Sequence, residues 1–302
     1  GACTWEQAGV SPESASVFDD PSYVAAANSL TAELIRGPIV EIADDRYEGR
    51  LPGTRSDFLT QAYLGELLDE AGFAPAGPGG DWIQPFDLVG INTAQPETWS
   101  FTDGETFLEL IQSEEFILTS GLQEAEASIS GAEVVFVGYG IQAPEHDWDD
   151  FKGADLRGKV LLMLNNDPDW DPTLFAGETR LYYGRWSYKY ESAARQGAVG
   201  AIVIHTIPSA GYPWQVVQTS WTGEQFQLPA GDEPRLQVEA WVTEDAARRL
   251  LTGANLVFDE LEVAARSRDF EPIPLGLTTA IDLAVEISGT RSGNVLGVLE
   301  GS

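Results

Sequence analysis

Basic side chains are scarce in this chain of 302 residues: 17 Lys and Arg stand against 48 Asp and Glu, a formal net charge of -31. Three of the basic residues are lysines, Lys152, Lys159 and Lys189. Such a polyanion repels phosphates instead of neutralising them, which excludes a nucleic-acid backbone as partner. It also offers no basic patch to an anionic membrane surface. A single cysteine, Cys3, excludes an internal disulfide framework and a cysteine-rich zinc ribbon. No apolar run reaches the ~20 residues of a transmembrane helix. The phosphate loops G-x-x-x-x-G-K-[ST] and G-x-G-x-x-G, the elbow G-x-S-x-G and the zinc motif H-E-x-x-H are all missing.

What remains is a folding sequence. Hydrophobic residues make up 43% and aromatics 10%, which excludes a disordered acidic tail. The length is where single cores begin to divide in two. The acid excess is spread along the chain and reads as a hydrated surface. Gly1-Ala2 directly before Cys3 resembles the end of a bacterial lipoprotein signal, in which the cysteine carries the lipid; an incidental boundary followed by a flexible tail is the other reading. Either way, residues 1–21 read as a leader or linker tail.

Apolar spacing predicts a helix over Ser22 to Ile35, ended by Gly37-Pro38. Asp44 to Thr54, with two glycines and a proline, reads as a shaped loop. A second helix follows, with Ser56 as N-cap, Leu59, Tyr63, Leu67 and Ala71 as its stripe, and Gly72 as its left-handed stop. Strands are expected at Trp82 to Val89, Glu133 to Gly140, Lys159 to Leu164, Ala198 to Ile204 and Leu236 to Val242. Arg185 to Gln196 reads as an amphipathic helix carrying Trp186 and Tyr190, and Thr243 caps another. A further helix spans about Leu256 to Arg266. Pro272 and Pro274 then break the chain before strands at Ile281 to Ile287 and Asn294 to Leu299. The pattern is α/β.

Candidate chemistry is thin. Glu145, His146, Asp147, Asp149 and Asp150 are five oxygen or nitrogen ligands in six residues, which suggests weak calcium binding or simply a solvated loop. His205 closes an apolar run, the place of a hydrogen-bonded structural histidine. Cys3 lies in the leader, away from any base. Tyr182, Tyr183, Trp186, Tyr188, Tyr190, Tyr212, Trp214 and Trp221 are dense enough to line a groove for peptide or sugar, or to pack a core. No residue qualifies as catalytic, cofactor-binding or metal-ligating.

Motif order adds a resemblance. Asp45-Arg46-Tyr47-Glu48-Gly49-Arg50, followed by Pro52-Gly53-Thr54, resembles the opening segment of secreted zinc metallopeptidases of the aminopeptidase Y and glutamate carboxypeptidase type, peptidase family M-twenty-eight. Phe136-Val137-Gly138-Tyr139-Gly140-Ile141, Ala143-Pro144, Asp149-Asp150-Phe151 and Gly158-Lys159-Val160 resemble the protease-associated (PA) domain inserted in those enzymes. So does Ala193-Ala194-Arg195-Gln196-Gly197-Ala198, leading into Ala201-Ile202-Val203-Ile204. Asn294-Val295-Leu296-Gly297-Val298-Leu299-Glu300-Gly301 resembles the strand by which such chains re-enter the catalytic domain.

The resemblance spans nearly all of residues 22–302 and implies an incomplete zinc-peptidase α/β domain with an inserted PA domain. The implied boundaries are 22–128 for the opening peptidase segment, 129–268 for the PA domain and 269–302 for the return. Family members hold two zinc ions through a His-x-Asp motif and later His, Asp and Glu ligands. None of these motifs stands here, so the expected zinc site lies past Ser302, and this chain alone is expected to be inactive. The expected partner is a peptide and the expected location exported, extracellular, periplasmic or lipid-anchored at Cys3. A non-catalytic PA-type module that binds peptides or proteins is the alternative.

Overall fold

A computed structural model describes residues 20–301. Cys3 and nearly all of the 1–21 leader lie outside the described residues. The chain forms two compact units, one from residues up to 86 together with those from 291 on, the other from 87–290. These divisions differ from the sequence boundaries at 128/129 and 268/269. The reason is hydrogen bonding: strands on both sides of the expected 129–268 block pair into the larger unit's sheet.

The discontinuous unit holds helices α1 (Pro21–Ser29), α2 (Ala32–Ile42) and α3 (Arg55–Glu70) and the short strand β1 (Ala74–Pro75). The expected single first helix is two. Leu30 is extended, and the Thr31 hydroxyl accepts the Leu34 N–H at 3.1 Å, so a new helix starts there and runs through Pro38. Helix α3 is capped by Thr54, not Ser56, which is buried. Its buried face is Ser56, Gln61 and Gly65 rather than the larger residues of the predicted stripe. Gly65 faces the Trp82 ring, which a Cβ there would meet at ordinary contact distance. Gly72, with φ +82, does end the helix.

Strand β14 (Gly297–Val298) pairs antiparallel with β1, placing Ala74 opposite Val298. The Asp57 carboxylate fastens the unit's loops. It accepts from the Gly53 N–H at 2.7 Å, the Gln61 amide at 2.9 Å and the Ser292 hydroxyl at 2.8 Å.

In the larger unit the central strands are β6 (Glu126–Phe136), β9 (Val160–Leu164), β10 (Gly200–His205) and β12 (Val238–Thr243). They run parallel in that order. Strand β5 (Phe116–Thr119) adds antiparallel to β12. On the other side β6 pairs antiparallel with β13 (Ile273–Val295). Beyond it lie β2 (Ile83–Thr93) and β11 (Gln225–Gln227), while β3 (Thr98–Thr102) bridges β13 and β4 (Phe107–Ile111). The hairpin β7 (Gln142–Ala143) and β8 (Trp148–Asp149) stands apart from this sheet. Pro272 and Pro274 do not end regular structure: β13 begins at Ile273, and Pro274 and Gly276, with φ +69, sit where its register with β6 shifts. A proline is tolerated at such a bulge.

Residues alternate between two cores. Phe136, Leu162, Ile202 and Val242 face α7 (Glu244–Gly253) and α8 (Phe258–Ala264). Val135, Leu161, Val203 and Trp241 face α4 (Trp186–Arg195) and α6 (Trp214–Ser220). Strands buried on both faces have no polar side, which is why β9 and β10 read as unbroken apolar runs. The short helix α5 (Ile207–Ala210) follows β10, capped by Thr206.

Candidate functional site

The main polar centre of the larger unit is built around Lys189. It lies on the inward stripe of α4 with Tyr190 and Ala193, and it is fully buried. After β6 the chain turns through Gly138 and Gly140, with φ +59 and +62, a conformation that favours glycine. A Cβ at Gly140 would collide with Met163. This turn aims consecutive carbonyls at α4: Lys189 Nζ donates to Tyr139 O at 2.5 Å and Ser192 Oγ to Gly140 O at 2.9 Å. Lys189 Nζ also donates to Asn166 O at 2.7 Å, in the loop after β9. One ammonium thus ties three segments together.

Two buried carboxylates flank it. Asp150 accepts from the Ile141 N–H and the Trp148 indole N–H, each at 2.9 Å. Asp167 accepts the Leu181 N–H at 2.9 Å through Oδ2, while its Oδ1 is buried without a hydrogen-bond partner among the described residues. Burial pushes Asp150 and Asp167 up, and the Lys189 charge opposes both shifts. Burial pushes Lys189 down against the pull of Asp150 and Asp167.

Beside this centre, at the carboxyl ends of β9 and β10, opens a cleft of about 200 Å³. Asn166 stands there at φ +78, held by Arg180 Nε at 2.8 Å. The crevice past parallel strand ends is a recurrent ligand position in α/β sheets. A second groove, of about 600 Å³, runs along α4 and is lined by Trp186, Tyr190, Arg195, Leu228, Pro234 and Arg235.

The residues singled out in the sequence are placed differently. Glu145, His146, Asp147, Asp149 and Asp150 do not converge. Glu145 accepts the Tyr183 hydroxyl, the His146 ring stacks on Phe175 at 4.4 Å, Asp149 accepts the Phe151 N–H at 2.9 Å, and Asp150 turns inward. The expected weak calcium site is therefore corrected: the side chains are spent on separate partners. Among the described residues no three His, Cys, Asp or Glu side chains form a group fit for a metal. The residues here do not fit a zinc pair.

His205 is buried among Tyr212, Trp214 and Trp241, with Nε2 unpartnered among the described residues. Burial pushes its pKa down. The aromatic patch divides. Tyr190 and Trp221 pack against each other at 5.8 Å, Tyr190 Oη donates to Ala240 O at 3.0 Å, and Trp214 Nε1 to Ser113 O at 2.8 Å. Trp186, by contrast, is 42% exposed and lines the groove.

The sequence reading passed over Lys189 and Asp167. Lys189 carried a signal: it is the one charge at an inward position of the stripe formed with Trp186, Tyr190 and Ala193. Asp167 carried none, since its neighbourhood exists only after folding.

No protein-family model matches the chain, and no curated protein does. Among solved structures, an aminopeptidase from Aneurinibacillus sp. strain AM-1 is similar at 18% identity and TM-score 0.39, covering 85% of this chain and 48% of its own. A zinc aminopeptidase from Bacillus subtilis is similar at 12% identity and TM-score 0.30, covering 85% and 45%. The chain spans less than half the length of each. No described helix is long and apolar enough to cross a membrane.

Proposed function

We propose that the chain is the front portion of a zinc-dependent, aminopeptidase-type metallopeptidase, and that the 87–290 unit is a PA-type insertion shaping the access of peptide substrates. The observation that carries this is the interrupted unit. Its halves meet only after the insertion, through the β1–β14 ladder and a Ser292–Asp57 hydrogen bond between residues 235 apart. The peptidase-like motif at residues 45–54 and the re-entry motif at 294–301 fall in those two halves. In this reading the metal ligands belong to residues outside this chain, the protein is exported, and Cys3 is its lipid attachment point.

The test uses zinc-supplemented aminoacyl-nitroanilide hydrolysis. The 302-residue chain should release no nitroaniline, and the same chain continued through its natural downstream sequence should release it until a chelator is added. Chelator-sensitive turnover by the chain alone would place catalysis within it and overturn the reading. A second reading, a peptide-binding module without catalysis, is favoured by the groove along α4, where Trp186 offers an exposed apolar face beside Arg195 and Arg235. An inactive continued protein lacking a His-x-Asp motif would decide for it.

A further inference from the structure

We propose that the groove along α4 takes a lysine or arginine side chain of a peptide, its charge met by Glu239 and its apolar stem laid along Trp186. The inference rests on the reading of this groove as a peptide site and adds which side chain it selects.

Glu239 is out of keeping with its surroundings. It is the one acidic residue of β9, β10 and β12, and it shares a face of β12 with the buried Trp241. Its backbone is paired on both sides, to Ala201 in β10 and Thr119 in β5, so the part of this half-buried residue that solvent reaches is its side chain. Gly121 leaves room for the carboxylate: a Cβ there would stand 2.8 Å from Glu239 Oε1. The carboxylate makes no hydrogen bond or ion pair with the described residues. Burial pushes its pKa up to about 7, against the pull of Arg235. A sunken carboxylate without a donor is costly, and an entering ammonium or guanidinium supplies several.

The groove's own arginines are engaged elsewhere. Arg235 donates to Gly121 O at 2.9 Å and to Gln227 Oε1 at 2.6 Å. Arg195 lies over the Tyr188 ring at 5.3 Å, with Glu191 at 3.8 Å. Glu191 and Glu233 also line the groove, so three carboxylates stand against two guanidiniums and the balance favours a cation. Tyr190 connects Glu239 to the aromatic wall: its hydroxyl donates to Ala240 O, one residue from Glu239, and its ring is 6.1 Å from that of Trp186. The exposed Trp186 ring attracts a cation, and a long aliphatic stem covers apolar surface while its charged head reaches past it. About 600 Å³ lies within the roughly 300–1,000 Å³ of ligand pockets and admits such a side chain together with neighbouring peptide backbone.

The test is calorimetric titration of the 302-residue chain with a peptide of one lysine flanked by glycines and blocked at both ends. The same peptide with norleucine or glutamate in place of the lysine is the control. The lysine peptide should bind saturably, and both controls at least about tenfold more weakly. Glu239→Gln should weaken the lysine peptide about tenfold or more and leave the norleucine peptide unchanged. A pH series needs no variant: between about pH 6 and pH 8 the lysine peptide should gain up to about tenfold in affinity as Glu239 ionises, and the norleucine peptide should gain nothing. Equal binding of the lysine and norleucine peptides would overturn the selection of a cation and leave the groove a peptide site. No saturable binding of any of the three would overturn both. A Glu239→Gln variant that binds the lysine peptide like the parent, or a pH profile shared by the lysine and norleucine peptides, would overturn the role of Glu239 and the proposal with it.

Discussion

The two units use their helices in opposite ways. In the 87–290 unit, α7 turns Ala246, Ala247, Leu250 and Leu251 against the sheet, all of them buried. In the discontinuous unit, α1 and α2 bury no residue, and Leu30, Leu34, Ile35, Ile39 and Val40 are each more than half exposed. Both α2 and α7 are amphipathic in sequence and both are capped by a threonine, so period and cap are not what separates them. Packing is. A short helix in water gains most of its stability from the face it covers, and α2 covers none among the described residues.

Three substitutions measure the contrast. The largest effect is expected at the centre of the larger unit. Lys189→Ala removes the ammonium that Asp150, Asp167 and two carbonyls face, and should cost about 3–5 kcal/mol in urea unfolding. A cost below about 1 kcal/mol would mean that this network does not hold the unit together.

A smaller, pH-dependent effect belongs to His205. Its folded pKa lies below the usual 6.5, so below that pH the unfolded chain takes up a proton that the folded chain refuses. Stability is therefore present above about pH 6.5 and drains away as pH falls toward the folded value. His205→Phe keeps a ring among Tyr212, Trp214 and Trp241 and should flatten that part of the unfolding-midpoint profile. An unchanged slope would assign the acid sensitivity to other groups.

The smallest effect is expected at Leu34. Leu34→Ala should change stability by no more than about 0.5 kcal/mol, because its side chain is largely exposed. A loss above about 2 kcal/mol would show that the α2 face is covered in solution, and would erase the contrast between the units.

Much of the larger unit was legible from local pattern. Strands β9 and β10 are continuous apolar runs because both faces are buried, and Thr243 accepts the Ala246 N–H as a cap should. Strand β13 was cut short in the reading although its alternation was present. Leu275, Leu277, Thr279, Ile281, Leu283 and Val285 are buried in turn, but two prolines and a threonine obscured the run. Strands β3 and β4 were missed altogether, though Trp99, Phe101 and Leu110 are buried within them.

The site was less legible for a geometric reason. Lys189, Asp150 and Asp167 come from α4, the end of the β7–β8 hairpin and the loop after β9, and only the parallel crossover brings them together. The acidic run at 145–150 illustrates the converse: neighbours in sequence that fold apart.

The closing ladder between β1 and β14 has a consequence for biosynthesis. On a ribosome, α1 to α3 emerge long before β14 exists, and the loop that joins Asp57 to Ser292 spans 235 positions. Closing so wide a loop from a random coil is entropically unfavourable, and folding the intervening unit first shortens it. The ladder that completes the unit of α1 to α3 therefore cannot form until residue 298 has been made, so this unit depends on chain synthesised after the whole of the intervening one.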